Sequence, residues 1–278
     1  MNKNLKSILM IGLALVCTGA VQAQNAPRRA RAARETIDPS RIANTNVEYD
    51  QYFTEIKADA APVSPDEKGF IRRWTILEPI SKPNGGNSGF TDSYVRAELS
   101  KVYYKDQYTT ELKKLPKTGS KVKVESETPR PTGRGFGMQQ QPAQQLPATT
   151  KQTLAWHSVD SKLFNVKLFR FATNLSELHY GVIFHAYTVV NCEEDMTVRL
   201  AAGSNSASVW YVNGEEVLLL QSDRRMVADD GMSKRITLKK GKNIVHAAVI
   251  NGPGMSDMCM RFVNEDGTPV KNITITCK

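Results

Sequence analysis

Short apolar segments recur along the chain from about residue 69, and their spacing is typical of strands rather than helices. Met196–Leu200 alternates apolar and polar positions, as a strand with one buried face does. Gly181–Val190 is apolar at nearly every position, which predicts a central strand of a sandwich. Phe70–Leu77 is rich in β-branched and aromatic residues and ends before Pro79, so it predicts a further strand.

Turn residues separate these segments. Asn213-Gly214 lies between two apolar runs, and this dipeptide favours a type I′ hairpin turn because both central positions need a positive φ. Further strand–turn–strand units are Ile236–Ile250 and Met260–Ile275. Only Asp92–Leu99 and Tyr108–Leu115 favour short helices. Many short strands separated by turns predict an all-β fold, a jelly-roll β-sandwich.

The N-terminus has the features of a secretory signal peptide. Lys3 and Lys6 precede the apolar run Ile8–Val16, and small residues precede a cleavage point after Ala23. We therefore expect an exported protein, located in the periplasm, at the cell surface or outside the cell. Lipidation at Cys17 is the alternative, although the bulky residue before it fits lipoprotein processing poorly. No transmembrane segment is expected, because no run approaches about 18 apolar residues.

Composition divides the rest of the chain. Residues 24–65 are rich in Ala, Arg, Asn, Asp and Pro, and we expect a flexible, disordered basic arm. Residues 126–152 are rich in Pro, Gly and Gln, which predicts a linker or a long irregular loop. The remaining strands then form one β-sandwich domain at 66–275, with 126–152 as an insertion.

The net charge of +9 in 278 residues does not indicate a nucleic-acid partner. Part of the excess lies in the signal peptide and in the run Arg28–Arg34, and beyond these both signs are interspersed. Such a distribution favours solubility and not nucleic-acid binding.

Three cysteines remain after cleavage, namely Cys192, Cys259 and Cys277. An oxidising compartment allows one disulfide and one free thiol, and buried unpaired thiols are the equal alternative. Their spacing matches no zinc motif.

Motifs of catalysis are missing from the sequence, which contains no G-x-S-x-G elbow, no G-x-G-x-x-G and no P-loop. His185 and His246 lie within apolar strands, where a core histidine is more common than a general base. Asp229 and Asp230 follow each other in one long loop. A salt-bridged anchor is the preferred interpretation of this pair, with a structural calcium site as the functional alternative.

Sugar recognition uses a flat aromatic ring and polar side chains that bind hydroxyl groups. Trp210 and Tyr211 are neighbours in a strand, so one should face outward and is the candidate platform. Trp74 and Trp156 are expected in the core. Polar candidates on nearby loops are Asn205, Asn213, Asp223, Arg224 and Arg225.

Longer phrases of the sequence resemble one family. GFIRRWTILEPI, MTVRLAAGSNSASVWYVNGEEV and ITLKKGKNIVHAAVINGPG are similar to strands and turns of galactose-binding-like jelly rolls. LAWHSVDSKLFNVKLFRFA, SDRRMVADDGMSKR and VINGPGMSDMCMRF resemble the accessory N-terminal module of secreted bacterial acetylxylan esterases. The resemblance spans about Gly69 to Thr274. The esterase's α/β catalytic domain has no counterpart in this pattern, so the resemblance implies no catalytic residues.

These observations predict a secreted, non-catalytic module that binds or presents plant polysaccharide of the xylan type. A partner carbohydrate-active enzyme is a further expected contact. Two alternatives stay open: a module that docks a protein of an extracellular complex, and a carbohydrate esterase with an unrecognised active site. No cofactor is expected beyond the calcium alternative.

Overall fold

Two antiparallel sheets dominate the described part of the protein. The structure is a computed structural model that describes residues 49–82, 91–128, 149–176, 180–251 and 255–278. The predicted signal peptide, most of the predicted basic arm, and residues 129–148 of the predicted insertion lie outside this part.

The strands, in chain order, are β1 (Phe53–Glu55), β2 (Arg73–Leu77), β3 (Ile80–Ser81), β4 (Lys121–Glu127), β5 (Thr149–Ser161), β6 (Val182–Cys192), β7 (Met196–Ser204), β8 (Ala207–Val212), β9 (Glu215–Leu220), β10 (Gly231–Met232), β11 (Ile236–Leu238), β12 (Gly241–Ile250), β13 (Met258–Val263) and β14 (Ile273–Thr276). Two α-helices, α1 (Asp92–Leu99) and α2 (Leu168–Leu175), and the 3₁₀ turns Tyr49–Gln51 and Leu112–Lys114 accompany the strands. The expected all-β class is confirmed.

The larger sheet follows the order β1-β5-β2-β6-β12-β8-β9, with β3 and β14 also paired to β6 and β4 paired to β5. Its longest ladder joins β6 to β12, from Cys192 opposite Gly241 to Ile183 opposite Ile250. The smaller sheet is built on β7, which pairs with β10, β11 and β13. The two sheets share a core: Trp74, Phe184 and Trp210 of the larger sheet cluster with Leu200 and Phe262 of the smaller one.

The outer face of the larger sheet is also covered. A second apolar cluster joins Tyr187 and Tyr211 of this face to Val95 and Leu99 of α1 and to Tyr104 in the segment after it. The central strand β6 therefore has buried residues on both faces, as its continuous apolar pattern predicted. A segment of about thirty residues, 91–120, lies over the sheet and closes it off from solvent.

The Asn213-Gly214 turn is confirmed, with φ of 50° and 83° at its two residues. The Ile236–Ile250 unit differs from a simple hairpin: β11 pairs with β7 in the smaller sheet, whereas β12 pairs with β6 and β8 in the larger one. The turn between them, at Gly241 with φ of 90°, therefore passes from one sheet to the other. Helix α1 has the predicted bounds, and the Thr91 hydroxyl accepts a hydrogen bond from Tyr94 N at 3.3 Å.

Two expectations about the helices were wrong. Helix α2 was not predicted, because Phe169 and Phe171 alternate with polar residues as in a strand, yet both are buried on a helix. The second predicted helix, Tyr108–Leu115, contains only the 3₁₀ turn Leu112–Lys114.

The sandwich also begins earlier than residue 66. Phe53 in β1 is buried and pairs with Ser161 of β5, and Val63 pairs with Ile275. Charged neighbours concealed these short segments in the sequence, so residues 49–65 are not part of a free arm.

The edges of the predicted irregular stretch are strands. Ser126 pairs with Thr150, and Glu127 pairs with Thr149, in the ladder between β4 and β5. Within the described ranges, no helix is long and apolar enough to cross a membrane.

Candidate functional site

Neither member of the predicted aromatic pair is exposed. Trp210 is 0% exposed and lies in the core between the sheets, where its Nε1 donates to Ser208 Oγ at 3.0 Å. Tyr211 points to the other face, as strand alternation predicted, but it is only 8% exposed. Residues 91–120 cover that face, and the Tyr211 ring packs against Tyr108 at 5.0 Å. The expectation that one of these rings forms a solvent-facing platform was wrong. Trp74 and Trp156 are core residues, as expected.

Three of the polar candidates meet at one end of the sandwich. Asn205 lies in the turn between β7 and β8, and its N–H donates to Asp257 O at 2.9 Å. The next residue, Ser206, donates from its N–H to Arg224 O at 2.8 Å and from its hydroxyl to Asp223 Oδ1 at 3.1 Å. The β7–β8 turn therefore ties two loops together, the one that contains Asp223 and the one that contains Asp257.

A partly buried ion pair supports this end. Lys167 Nζ lies 2.6 Å from Asp257 Oδ2, and Asn165 Nδ2 donates to the same oxygen at 3.2 Å. Burial raises the pKa of Asp257, and the Lys167 ammonium and the Asn165 amide oppose that shift. Beside it, the hydroxyl of the fully buried Ser256 has no hydrogen-bond partner among the described residues.

An exposed aromatic ring completes the group. Tyr180 is 47% exposed and packs against Phe169, with 5.3 Å between ring centroids. Phe169 N–H in turn donates to Ser256 O at 2.8 Å, so Phe169 links the Tyr180 ring to the segment that contains Asp257. We call this set the loop-end site; its residues are Asn165, Lys167, Tyr180, Asn205, Asp223, Arg224 and Asp257.

The other candidates lie elsewhere or stand alone. Asn213 is at the opposite end of β8, where its side chain bonds to Asn243 at 2.9 Å and to Ile244 N at 2.8 Å. It therefore stabilises a turn. Arg225 is exposed and forms no ion pair with the described residues.

Each carboxylate of the Asp229-Asp230 pair has its own arginine. Asp229 accepts two hydrogen bonds from Arg261, one of them from Nε at 3.0 Å. Asp230 Oδ2 lies 2.6 Å from Arg224 Nε, an ion pair without hydrogen-bond alignment. This arrangement matches the preferred interpretation of a salt-bridged loop anchor. Among the described residues, no group of three acidic, histidine or cysteine side chains is placed to hold a metal, and calcium binding stays a prediction.

The three cysteines are free thiols. Burial raises the pKa of Cys259 to about 12 and that of Cys277 to about 11, so both stay protonated at neutral pH. Burial also raises the pKa of Cys192. The structure thus matches the alternative of unpaired thiols, with Cys192 and Cys259 buried and Cys277 half-buried.

Sequence reasoning missed Asn165, Lys167, Tyr180 and Asp257. The signal available was weak: Tyr180 is a lone aromatic residue directly before Gly181 and the long apolar strand. The Lys167–Asp257 pair joins positions ninety residues apart, which no local pattern reveals.

Comparisons with known proteins add little to this geometry. No protein-family model matches the chain, and no curated protein matches it. Among solved structures, a β-glucosidase from Kluyveromyces marxianus is similar at a TM-score of 0.30 and 17% sequence identity. The match covers 42% of this chain and 14% of that enzyme's chain. The chain therefore spans a small part of the structure that it matches.

Proposed function

We propose that the protein is an exported, non-catalytic module of the galactose-binding-like jelly-roll type that binds plant polysaccharide of the xylan type. The loop-end site is the proposed binding surface. Support comes from the resemblance of the sequence to accessory modules of acetylxylan esterases and from the kinds of side chain that meet at this end.

The exposed ring of Tyr180 is the observation on which the proposal depends most. An aromatic face in contact with solvent binds the apolar face of a sugar ring, and Phe169 behind it restricts the movement of the tyrosine. Held in place before binding, such a ring loses little conformational entropy when the ligand arrives.

The polar side chains around Tyr180 suit neutral hydroxyl groups. The Lys167–Asp257 pair has its charges compensated internally, so it offers hydrogen-bonding groups without a strong net field. Asn205 adds a half-buried amide group, which donates and accepts hydrogen bonds, whereas the buried Asn165 amide positions Asp257. The bonds from Ser206 to the Asp223 loop fix the positions of these groups.

Retention on insoluble xylan tests the proposal. Wild type is compared with Tyr180→Ala and with the matched control Phe164→Ala, which removes an exposed ring that packs against Phe70 instead. We expect Tyr180→Ala to weaken binding about fivefold or more, which corresponds to a loss of about 1 kcal/mol or more of aromatic contact. Phe164→Ala should bind as wild type does.

Two outcomes would contradict the proposal. If wild type is retained on neither acetylated nor deacetylated xylan, the proposal of polysaccharide binding is contradicted, and protein docking becomes the leading function. Equal retention of Tyr180→Ala and wild type would remove the loop-end site as the binding surface.

A further inference from the structure

Three adjoining depressions lie on the side of the protein formed by the segment after α1 and the β4–β5 hairpin. The largest, of about 590 Å³, is bounded by residues 102–105 on one side and by the hairpin on the other. The second, of about 310 Å³, shares Tyr104 and Lys105 with the first. The third, of about 470 Å³, shares Lys113, Leu115 and Lys117 with the second. Together they form a continuous concave surface.

Lysine dominates the charged side chains of this surface. Six lysines along it form no ion pair with any described residue, and all six are exposed; they are Lys105, Lys117, Lys121, Lys123, Lys151 and Lys242. Among the described residues, the acidic side chains that line the depressions are Asp106 and Glu125. The surface therefore has a large local excess of positive charge.

Three more lysines at the same surface are held by local partners. Lys113 and Lys114 both contact Glu111, and Lys278 donates to the carbonyl of Lys113. Desolvation lowers the pKa of Lys278, and the neighbouring ammonium of Lys117 lowers it further. Like charges are thus close enough to disfavour one another, and an anionic ligand would relieve this repulsion.

We propose that this lysine surface binds an acidic polysaccharide, a chain of uronic acid residues whose carboxylates pair with the ammonium groups. The surface shares no residue with the loop-end site, and the inference does not depend on binding of neutral polysaccharide there. A polymer fits better than a small anion, because the unpaired lysines follow one another through all three depressions.

The chemistry of the lining favours carboxylates on a sugar chain over nucleic acid. The described residues of the lining include no arginine, so lysine ammonium groups, which act as point charges, are the cations that an anionic chain would meet. Tyr103 and Tyr104 form part of the floor but are buried. They therefore present no free ring on which bases of a single strand would stack.

Binding to polygalacturonate, a linear polyuronate, tests the inference by calorimetry at several salt concentrations. The test variant is Lys105→Gln/Lys123→Gln/Lys151→Gln. The matched control is Lys68→Gln/Lys234→Gln/Lys271→Gln, which removes the same charge from exposed lysines outside the surface. We expect the test variant to bind about tenfold more weakly or worse, and the control to stay within about twofold of wild type. Binding of the wild type should weaken steadily as salt rises.

Equal weakening in both triple variants would overturn the site, because it would show a response to net charge alone. No binding of wild type at low salt would overturn it as well. Tighter binding of single-stranded DNA or of anionic lipid vesicles than of polygalacturonate would overturn the proposed ligand class. Tyr180→Ala should bind polygalacturonate as wild type does, which separates this result from any failure of the neutral xylan site.

Discussion

His185 Nδ1 lies 3.0 Å from His246 Nε2 on neighbouring strands of the larger sheet, and both rings are fully buried beneath residues 91–120. Five tyrosines surround the pair: Tyr103, Tyr104, Tyr108, Tyr187 and Tyr211. The outward nitrogen of each ring has no hydrogen-bond partner among the described residues. Burial lowers the pKa of His185 to about 3, and burial together with the neighbouring ring of His185 lowers the pKa of His246. The pair is therefore neutral at pH 7.

Stability should fall as the pH drops from 7 to 5. Unfolded histidines take up protons near pH 6.5, whereas the folded pair stays neutral, so the unfolded state binds more protons in this window. The free energy of unfolding should decrease by about 2 kcal/mol per histidine at pH 5. Urea unfolding at pH 7, 6 and 5 measures this change.

His185→Phe is the matched variant, since it keeps an aromatic ring of similar size and removes one of the two titrating groups. Its loss of stability between pH 7 and 5 should be about half that of wild type. A wild-type stability that is level across the window would contradict the burial of the pair.

Replacement of Lys82 should be far more damaging than replacement of a surface cation. Lys82 is fully buried, and its ammonium contacts Glu98 and, at 2.6 Å, Glu127. Lys82→Met keeps the alkyl stem but leaves two carboxylates without their cation, which should cost about 3 kcal/mol or more. The matched control is Arg96→Met, because Arg96 pairs with Glu216 at 2.7 Å on the surface. Its cost should be below about 1 kcal/mol. Equal costs in chemical denaturation would contradict the burial of Lys82.

Trp210 and Tyr180 should separate stability from binding. Trp210→Phe leaves a cavity in the core and removes the bond to Ser208, so we expect a loss of about 1–3 kcal/mol in unfolding free energy and unchanged retention on xylan. Tyr180→Ala should lose less than about 1 kcal/mol and lose retention. The reverse pattern would restore the indole as the platform and contradict the structure. Thermal unfolding and xylan retention of the same two preparations provide the comparison.

Trp210 and Tyr211 show which structural features the sequence predicts and which it does not. Strand alternation correctly assigned the two rings to opposite faces, and turn chemistry correctly located the Asn213-Gly214 hairpin. An outward-facing residue is exposed only if no other part of the chain packs over that face of the sheet. Here α1 and the segment after it cover the face that contains Tyr211. That packing joins residues about one hundred positions apart, so the alternation of apolar and polar residues within one strand does not predict it. The loop-end site was predicted in part. Asn205, Asp223 and Arg224 lie on loops that the sequence predicted. The contact between Lys167 and Asp257 joins distant parts of the chain, so the sequence pattern did not predict it.

The loop at residues 221–230 should open when Gly203 acquires a side chain. A Cβ at Gly203 would lie 1.7 Å from Val227 O, so the loop must move away from β7. Overpacking of this kind costs about 1–3 kcal/mol. We expect Gly203→Ala to speed tryptic cleavage at Arg224 and Arg225 by about tenfold or more. Asp229→Asn, which weakens the bonds to Arg261, should act in the same direction. Unchanged cleavage of both variants would show that the loop is not held by these contacts.

The central claim, that polysaccharide binds at the loop-end site, is tested most directly by mapping amide chemical shifts while a xylo-oligosaccharide is added to the labelled protein. We expect shifts that cluster at residues 165–169, 180–181, 204–206, 223–224 and 255–257, with few changes on the lysine surface. Saturable shifts confined to another face, or no shifts with xylo-oligosaccharides of any length or acetylation, would contradict it.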